Sequence, residues 1–438
     1  MIAICRYKKT GEERNNMSNF LIEVVVILAM IVLLGYFNEK VTKLTYEIAL
    51  MLFSICSGGI LLIVTAGLTS NQVALSDLFK DIQVFNLNDY LMTKGILCFM
   101  LFAGSCHMRL FDFKKHARSI SLLAIGATLL GAVFYGVLFF GAAQLLGLGL
   151  SFPVCLMFGS ITAPTDPIAA TSILKKFNLP PNINFIIEGE SLLNDGVGVA
   201  LFVCFSGLVT ADSESGGFFA VFGRELFGAI LVGIVVTLIC FPIFKRTADS
   251  GRRIFVSLLA VSLTYLLCEW LEFSGATASV VCGVLFSALR NREDARGNHM
   301  ELEQYDQFWE IMDNLLNSIL YVMLGFAFFN ILKMPEVLLI SGVAVIANLL
   351  GRSGSVGVAA LFMGELPDGY NRVGFIQLLT WGGLRGGLSV ALAMSTKSML
   401  PENVYYIVLG GTFAIVFFTT VIQGLTIPKL YRHIEKKI

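Results

Sequence analysis

The chain has 438 residues, 56% hydrophobic and only 14% charged, with a formal net charge of zero. Soluble globular chains carry about 25% charged residues, so there is too little charge to coat a water-facing surface, and no basic excess that would point to nucleic acid. The composition is that of an all-α polytopic membrane protein, in which apolar runs of about 20 residues each cross ~30 Å of hydrocarbon. Nine cysteines lie scattered, almost all in or beside apolar runs and none at CxxC spacing, and the four histidines fall in polar connections. The cysteines read as small buried hydrophobes. No metal site of His and Cys, and no cofactor, is expected.

In chain order, the first 16 residues are polar and basic and lack the apolar core of a signal peptide. The stretch Gly-Glu-Glu-Arg-Asn-Asn-Met reads as a translated ribosome-binding site, so the natural start is expected at Met17. Thirteen spans follow, near 20–36, 48–67, 91–106, 118–147, 152–174, 183–208, 219–244, 254–271, 275–289, 306–332, 337–362, 373–396 and 404–428. Lysine and arginine concentrate in the odd-numbered connections, among them Lys40, Lys114, Lys115, Lys175, Lys176, Lys245, Arg246, Arg290 and Arg372, and in the C-terminal tail. The positive-inside rule puts these in the cytoplasm and the N-terminus outside, in the inner membrane of the cell. Basic residues before Met17 conflict with an outer N-terminus, which again favours the later start.

Two spans are interrupted. Span 5 carries Pro164 and Pro167, each of which removes a helix donor and clashes with the preceding turn. Span 12 carries Trp-Gly-Gly-Leu-Arg-Gly-Gly in the middle of its apolar run. Broken backbone at membrane depth is tolerated only where protein or a watery cavity satisfies it. The two broken spans are seven apart and so run in opposite directions, as an inverted repeat of spans 1–6 and 8–13 predicts. Interrupted segments at corresponding positions of two halves point to a transporter's binding site.

Charge collects at the same level. Ionisable residues deep in a bilayer cost at least ~2.5–3.5 kcal/mol each on insertion scales and are functional candidates by default. At ~1.5 Å per residue, Asp195 lies about 15 Å into span 6 counted from Phe185, and Glu190 about 7 Å shallower. Asp166 in span 5, Arg352 in span 11 and Arg385 in span 12 reach similar depth. Glu190 and Asn194 are four apart, as are Ser191 and Asp195, so adjacent helical stripes present carboxylate, amide, hydroxyl and carboxylate to one side. Asp195, Ser191, Asp166 and carbonyls freed near Thr165 offer the oxygen ligands a monovalent cation wants. A buried charge needs a partner, so Arg352 is expected to pair with Glu190. Arg385 either satisfies carbonyls at a break or takes part in transport, and Asp166 is either a ligand or a cap on half-helix amides. Glu188 lies nearer water. Asp195 is the acid without a fixed partner, and burial penalises a bare carboxylate, so a proton and a cation can compete for it.

At these residues the sequence resembles the NhaP/NHE-type sodium/proton antiporters of the monovalent cation/proton antiporter superfamily. The likeness rests on Thr-Ala-Pro-Thr-Asp-Pro (162–167), Glu-Gly-Glu-Ser-Leu-Leu-Asn-Asp-Gly (188–196) and Gly-Gly-Leu-Arg-Gly (382–386). It implies alternating access, with sodium or lithium exchanged for protons, and a homodimer in the lipid bilayer. Spans within 20–106 and 219–332 would form the dimerisation scaffold, and those within 118–208 and 337–428 the ion-translocating core. It also implies that Asp195 carries the ion, surrounded by Asp166, Ser191, Glu190 and the Thr165 carbonyl, with Arg352 on Glu190. Asn194, where electrogenic relatives place a second Asp, implies one cation for one proton. The chain ends ten residues after span 13, so pH control is expected within the transport core. A potassium/proton exchanger on the same scaffold stays open, because ligand types do not reveal cavity size. An intramembrane aspartyl protease is the reading from another class, but its Gly-x-Gly-Asp element is missing.

Overall fold

The computed structural model describes residues 24–42, 44–68, 95–106, 117–166, 181–210, 218–298, 300, 302–331, 335–364, 366 and 370–435. The expected start at Met17 and Pro167 lie outside them. The described residues form helices and no strand. A helix pairs its backbone groups within its own segment, the solution hydrocarbon imposes on a spanning chain. In order these are α1 (Val24–Thr42), α2 (Tyr46–Leu68), α3 (Leu97–Ser105), α4 (Ala117–Leu145), α5 (Phe152–Thr162) and α6 (Pro181–Thr210). Then come α7 (Phe218–Arg246), α8 (Ser250–Leu271), α9 (Gly275–Ala295), α10 (Glu303–Ile331) and α11 (Pro335–Phe362). Helices α12 (Arg372–Trp381), α13 (Gly387–Ser395) and α14 (Glu402–Ile434) close the chain. Seven of the described helices are long and apolar enough to cross a membrane.

Local sequence explains the helix ends that matter. The Asp249, Ser274 and Asn371 side chains accept the backbone N–H of Arg252, Thr277 and Gly374, starting α8, α9 and α12, and each satisfies a donor the helix cannot. Glu272 has φ 57°, a left-handed residue that ends α8. At the ends of α7 and α9, Lys245 meets Glu293 at 2.5 Å, and Asn298 and Arg296 bind the same carboxylate. These partners, Lys245 first, hold the Glu293 carboxyl down from 4.5 to about 2.

Helices approach closely where side chains are small, as membrane packing requires. A Cβ on Gly159 of α5 would lie 2.1 Å from the Ala132 carbonyl oxygen of α4. The expected interruption of span 12 is present, with α12 and α13 separated by residues 382–386. Helix α5 stops at Thr162, and non-helical backbone runs on to Asp166. Helices α4, α5, α6, α11 and α14 pack around these breaks. A separate aromatic core gathers α3, α7, α8, α9 and the start of α10 around the fully buried Trp309.

Candidate functional site

The two breaks satisfy one another. Proline at 164 and four glycines between 382 and 387 free backbone groups that no helix can use. The Asp166 N–H donates to the Leu384 carbonyl at 2.8 Å. Arg385 reaches back from the second break and donates through one guanidinium nitrogen to the Ala163 and Pro164 carbonyls, at 2.5 and 2.8 Å. Its other terminal nitrogen reaches the Asn348 amide oxygen at 3.2 Å. Thr419 and Thr420, on the π-helical turn of α14, take the Arg385 N–H and carbonyl. Of the two roles open for Arg385, the geometry displays the binding of carbonyls, and they are those of the opposite break.

Helix α6 supplies the third wall. The Asn194 amide clamps Thr165, accepting its N–H at 3.2 Å and donating to its hydroxyl at 2.7 Å. The Ser191 hydroxyl lies 2.8 Å from the same Thr165 hydroxyl. Glu190 and Arg352 form the expected ion pair at 2.7 Å, both almost fully buried. Glu188 is exposed. Pro164 rests so close to α6 that a Cβ on Gly198 would meet its ring at 2.3 Å.

Between these walls lies a cavity of about 40 Å³, room enough for a water or a small cation. Thr165, Asp166 and Asp195 line it from one side, and Gly386, Gly387 and Ser389 from the start of α13. The Asp166 carboxylate sits against Gly386, where a Cβ would come within 2.5 Å of it, and accepts the Tyr321 hydroxyl at 3.3 Å. That places it at the N-terminal end of a helix with no side-chain cap, where a negative charge is favoured. Asp195 is half-buried. Among the described residues its carboxylate takes part in no hydrogen bond or salt bridge.

This arrangement has known counterparts. The family described as "Sodium/hydrogen exchanger, transmembrane" matches residues 58–433. The chain belongs to the sodium/hydrogen exchanger family. Within it, the Na(+)/H(+) antiporter NhaP of Pseudomonas aeruginosa is 30% identical over 424 residues, covering 94% of this chain and 96% of that one. NhaH of Halobacillus aidingensis is 29% identical over 304 residues, 67% of this chain and 71% of that one. The solved sodium proton antiporter MjNhaP1 of Methanocaldococcus jannaschii shares the fold, with a TM-score of 0.74 at 19% identity over 95% of this chain and 99% of that one.

Placed in this family member, the residues singled out from sequence gather at the two breaks, but they do not all face the cavity. Ser191, Asn194, Glu190 and Arg352 hold the walls, whereas Thr165, Asp166 and Asp195 line the space. Sequence reasoning missed Asp313 and Asn317 of α10 and Ser389 of α13, which also line it. A signal for the first two was present. Asp313, Asn317 and Tyr321 recur every four residues, so they share one helical stripe.

Proposed function

We propose that this protein is a secondary transporter rather than an enzyme, exchanging Na⁺ or Li⁺ for H⁺, one for one, across the cytoplasmic membrane by alternating access. Asp195 carries the reading: its carboxylate faces a cavity at the meeting of two helix breaks, and no described residue neutralises it. Burial penalises that bare charge, so either a proton or a cation must be present when the site leaves water, and either one permits the swing. Thr165 and Asp166 stand beside the ion with Asp195. Ser191 and Asn194 act on it through Thr165, and Glu190 is held by Arg352.

The relatives named as Na(+)/H(+) antiporters support the choice of ions. Asn194, carrying no charge where a second acid would add one, supports one-for-one exchange. We propose further that the N-terminus is outside and the C-terminus cytoplasmic, in line with the basic odd-numbered connections. The protein would be a homodimer built on the helices within 20–106 and 219–332, with those within 118–208 and 337–428 moving. Within that scaffold, α3, α7, α8, α9 and the start of α10 share the core around Trp309.

Dequenching of a pH-sensitive dye in everted vesicles tests the reading. Sodium and lithium are expected to dequench it and potassium is not, and Asp195→Asn is expected to abolish the response. Dequenching by potassium alone makes the protein a potassium exchanger. A response unchanged in Asp195→Asn removes the ion from this site.

A further inference from the structure

The cavity has a second acidic wall that exchange at Asp195 does not use. Asp313 of α10 faces it and is 8% exposed, and among the described residues no arginine, lysine or histidine pairs with it. Its one hydrogen bond comes from the Asn317 amide nitrogen, 3.1 Å away on the next turn. With the nitrogen committed there, the Asn317 amide oxygen turns towards α13, where a Cβ on Gly387 would meet it at 2.7 Å. Two residues further along α13 is Ser389, which lines the same cavity, is 1% exposed, and has a hydroxyl without any hydrogen-bond partner among the described residues. An orphaned buried hydroxyl costs about 1–3 kcal/mol, so its retention beside an unpaired carboxylate asks for a ligand.

Asp166, Asp195 and Asp313 thus border one space that no basic side chain among the described residues lines. Asp166 has the helix end of α13 and Tyr321 to offset its charge; Asp313 has only an amide. Asp313 stands on the α10 wall of the cavity and Asp195 on the α6 wall. A smaller cavity of about 10 Å³ shares Asp166 and Asn317 with the first and is lined by Tyr46, Glu47 and Ser318, and Glu47 is in the first turn of α2.

We propose that Asp313, the Asn317 amide oxygen and the Ser389 hydroxyl form a second binding position for the transported monovalent cation, which the ion occupies between the Glu47 end of this polar track and Asp195. Three oxygens of this kind suit a hard cation. The proposal rests on Asp195 being the exchange site and adds to it a residue that sets cation affinity.

The test is the sodium and lithium dependence of initial exchange rates in proteoliposomes containing the full chain. Loss of a charged ligand is worth roughly tenfold in affinity. Asp313→Asn is therefore expected to raise the half-saturating sodium concentration roughly tenfold, to lower the maximal rate less than that, and to change the lithium-to-sodium ratio. Ser389→Ala is expected to shift the same two quantities in the same direction by a smaller factor. A purely structural Asp313 would lower the amount of folded protein and leave half-saturation and ion ratio where they were, which overturns the proposal. If Asp313→Asn does not yield monodisperse protein, Ser389→Ala decides alone, since it removes one oxygen atom; unchanged half-saturation and ion ratio in it overturn the proposal. The Asp195→Asn protein keeps the two ideas apart: exchange persisting in that variant defeats the Asp195 reading, whereas unchanged affinity in the Asp313 and Ser389 variants defeats only the second position.

Discussion

At the scale of single residues, the site separates groups that hold from groups that are held ready. Arg352 and Glu190 are the clearest holding pair, with side chains 4% and 2% exposed and 2.7 Å apart. Removing one member leaves a buried charge alone, which costs about 3–5 kcal/mol, whereas removing both together costs far less. Arg352→Ala is therefore expected to lower the thermal unfolding midpoint in detergent sharply, and Glu190→Gln in the same chain to restore part of it. Absence of any restoration would mean that Arg352 serves other partners, such as the Leu379 carbonyl it approaches at 3.4 Å. This pair was legible from sequence, because a buried charge needs an opposite partner. Asp313 was not legible. It follows Asp306 and Glu310 in a helix that starts with Glu303, so it reads as one more acid on a wetted helix end, and only packing shows that its side of α10 turns inward. Ser389 was hidden for a different reason: a serine in an apolar run normally returns its hydroxyl to the backbone, and nothing in the sequence says that this one does not.

At the scale of elements, the breaks were readable and their stitching was not. Pro164 and the glycine pairs announce where helices stop, yet which carbonyl Arg385 would serve depends on how two segments lie across one another. The same is true of close helix approaches. Gly159 of α5 and Gly141 of α4 look alike in sequence, but an added Cβ meets the Ala132 carbonyl at 2.1 Å in the first case and nothing within 4 Å in the second. Gly159→Ala is expected to destabilise by about 1–3 kcal/mol through overpacking, and Gly141→Ala to leave the unfolding midpoint unchanged, measured side by side in one detergent. The joint between the ends of α7 and α9 carries a pH signature. Lys245 above all, then Asn298, hold Glu293 down from 4.5 to about 2. A carboxyl whose folded value is depressed stabilises fully above its unfolded value and loses that contribution as pH falls towards the folded one. The unfolding midpoint of wild type should exceed that of Glu293→Gln at pH 7, with the gap closing between pH 4.5 and 2. A gap that stayed constant over that interval would mean that the Glu293 charge does not stabilise the joint.

At the scale of the whole molecule, the membrane class followed from composition alone, and the described helices occupy the places that apolar runs indicated. Long elements were easiest, because about 20 apolar residues have few other uses. Shape within the bilayer was hidden: nothing in the sequence says which helices share the core around Trp309. Stoichiometry is also a property of the whole. If one cation replaces one proton, no net charge crosses, and initial exchange rates in proteoliposomes should not respond to an imposed potassium-diffusion potential. Rates that rise or fall steeply with that potential would show a second charge moving, and the acids of α2 and α10 would be the first places to look for it.

The stitching of the two breaks has a consequence for how the molecule is made. The carbonyls of Ala163 and Pro164 receive their donors from Arg385, 222 and 221 residues later in the chain. A ribosome adding about 5–20 residues per second needs roughly 10–45 s to reach it. For that interval the first half of the protein sits in the membrane with its cavity wall unfinished. The site closes only when synthesis is nearly complete, so an arrested or shortened chain that inserts well would still have no place to hold an ion.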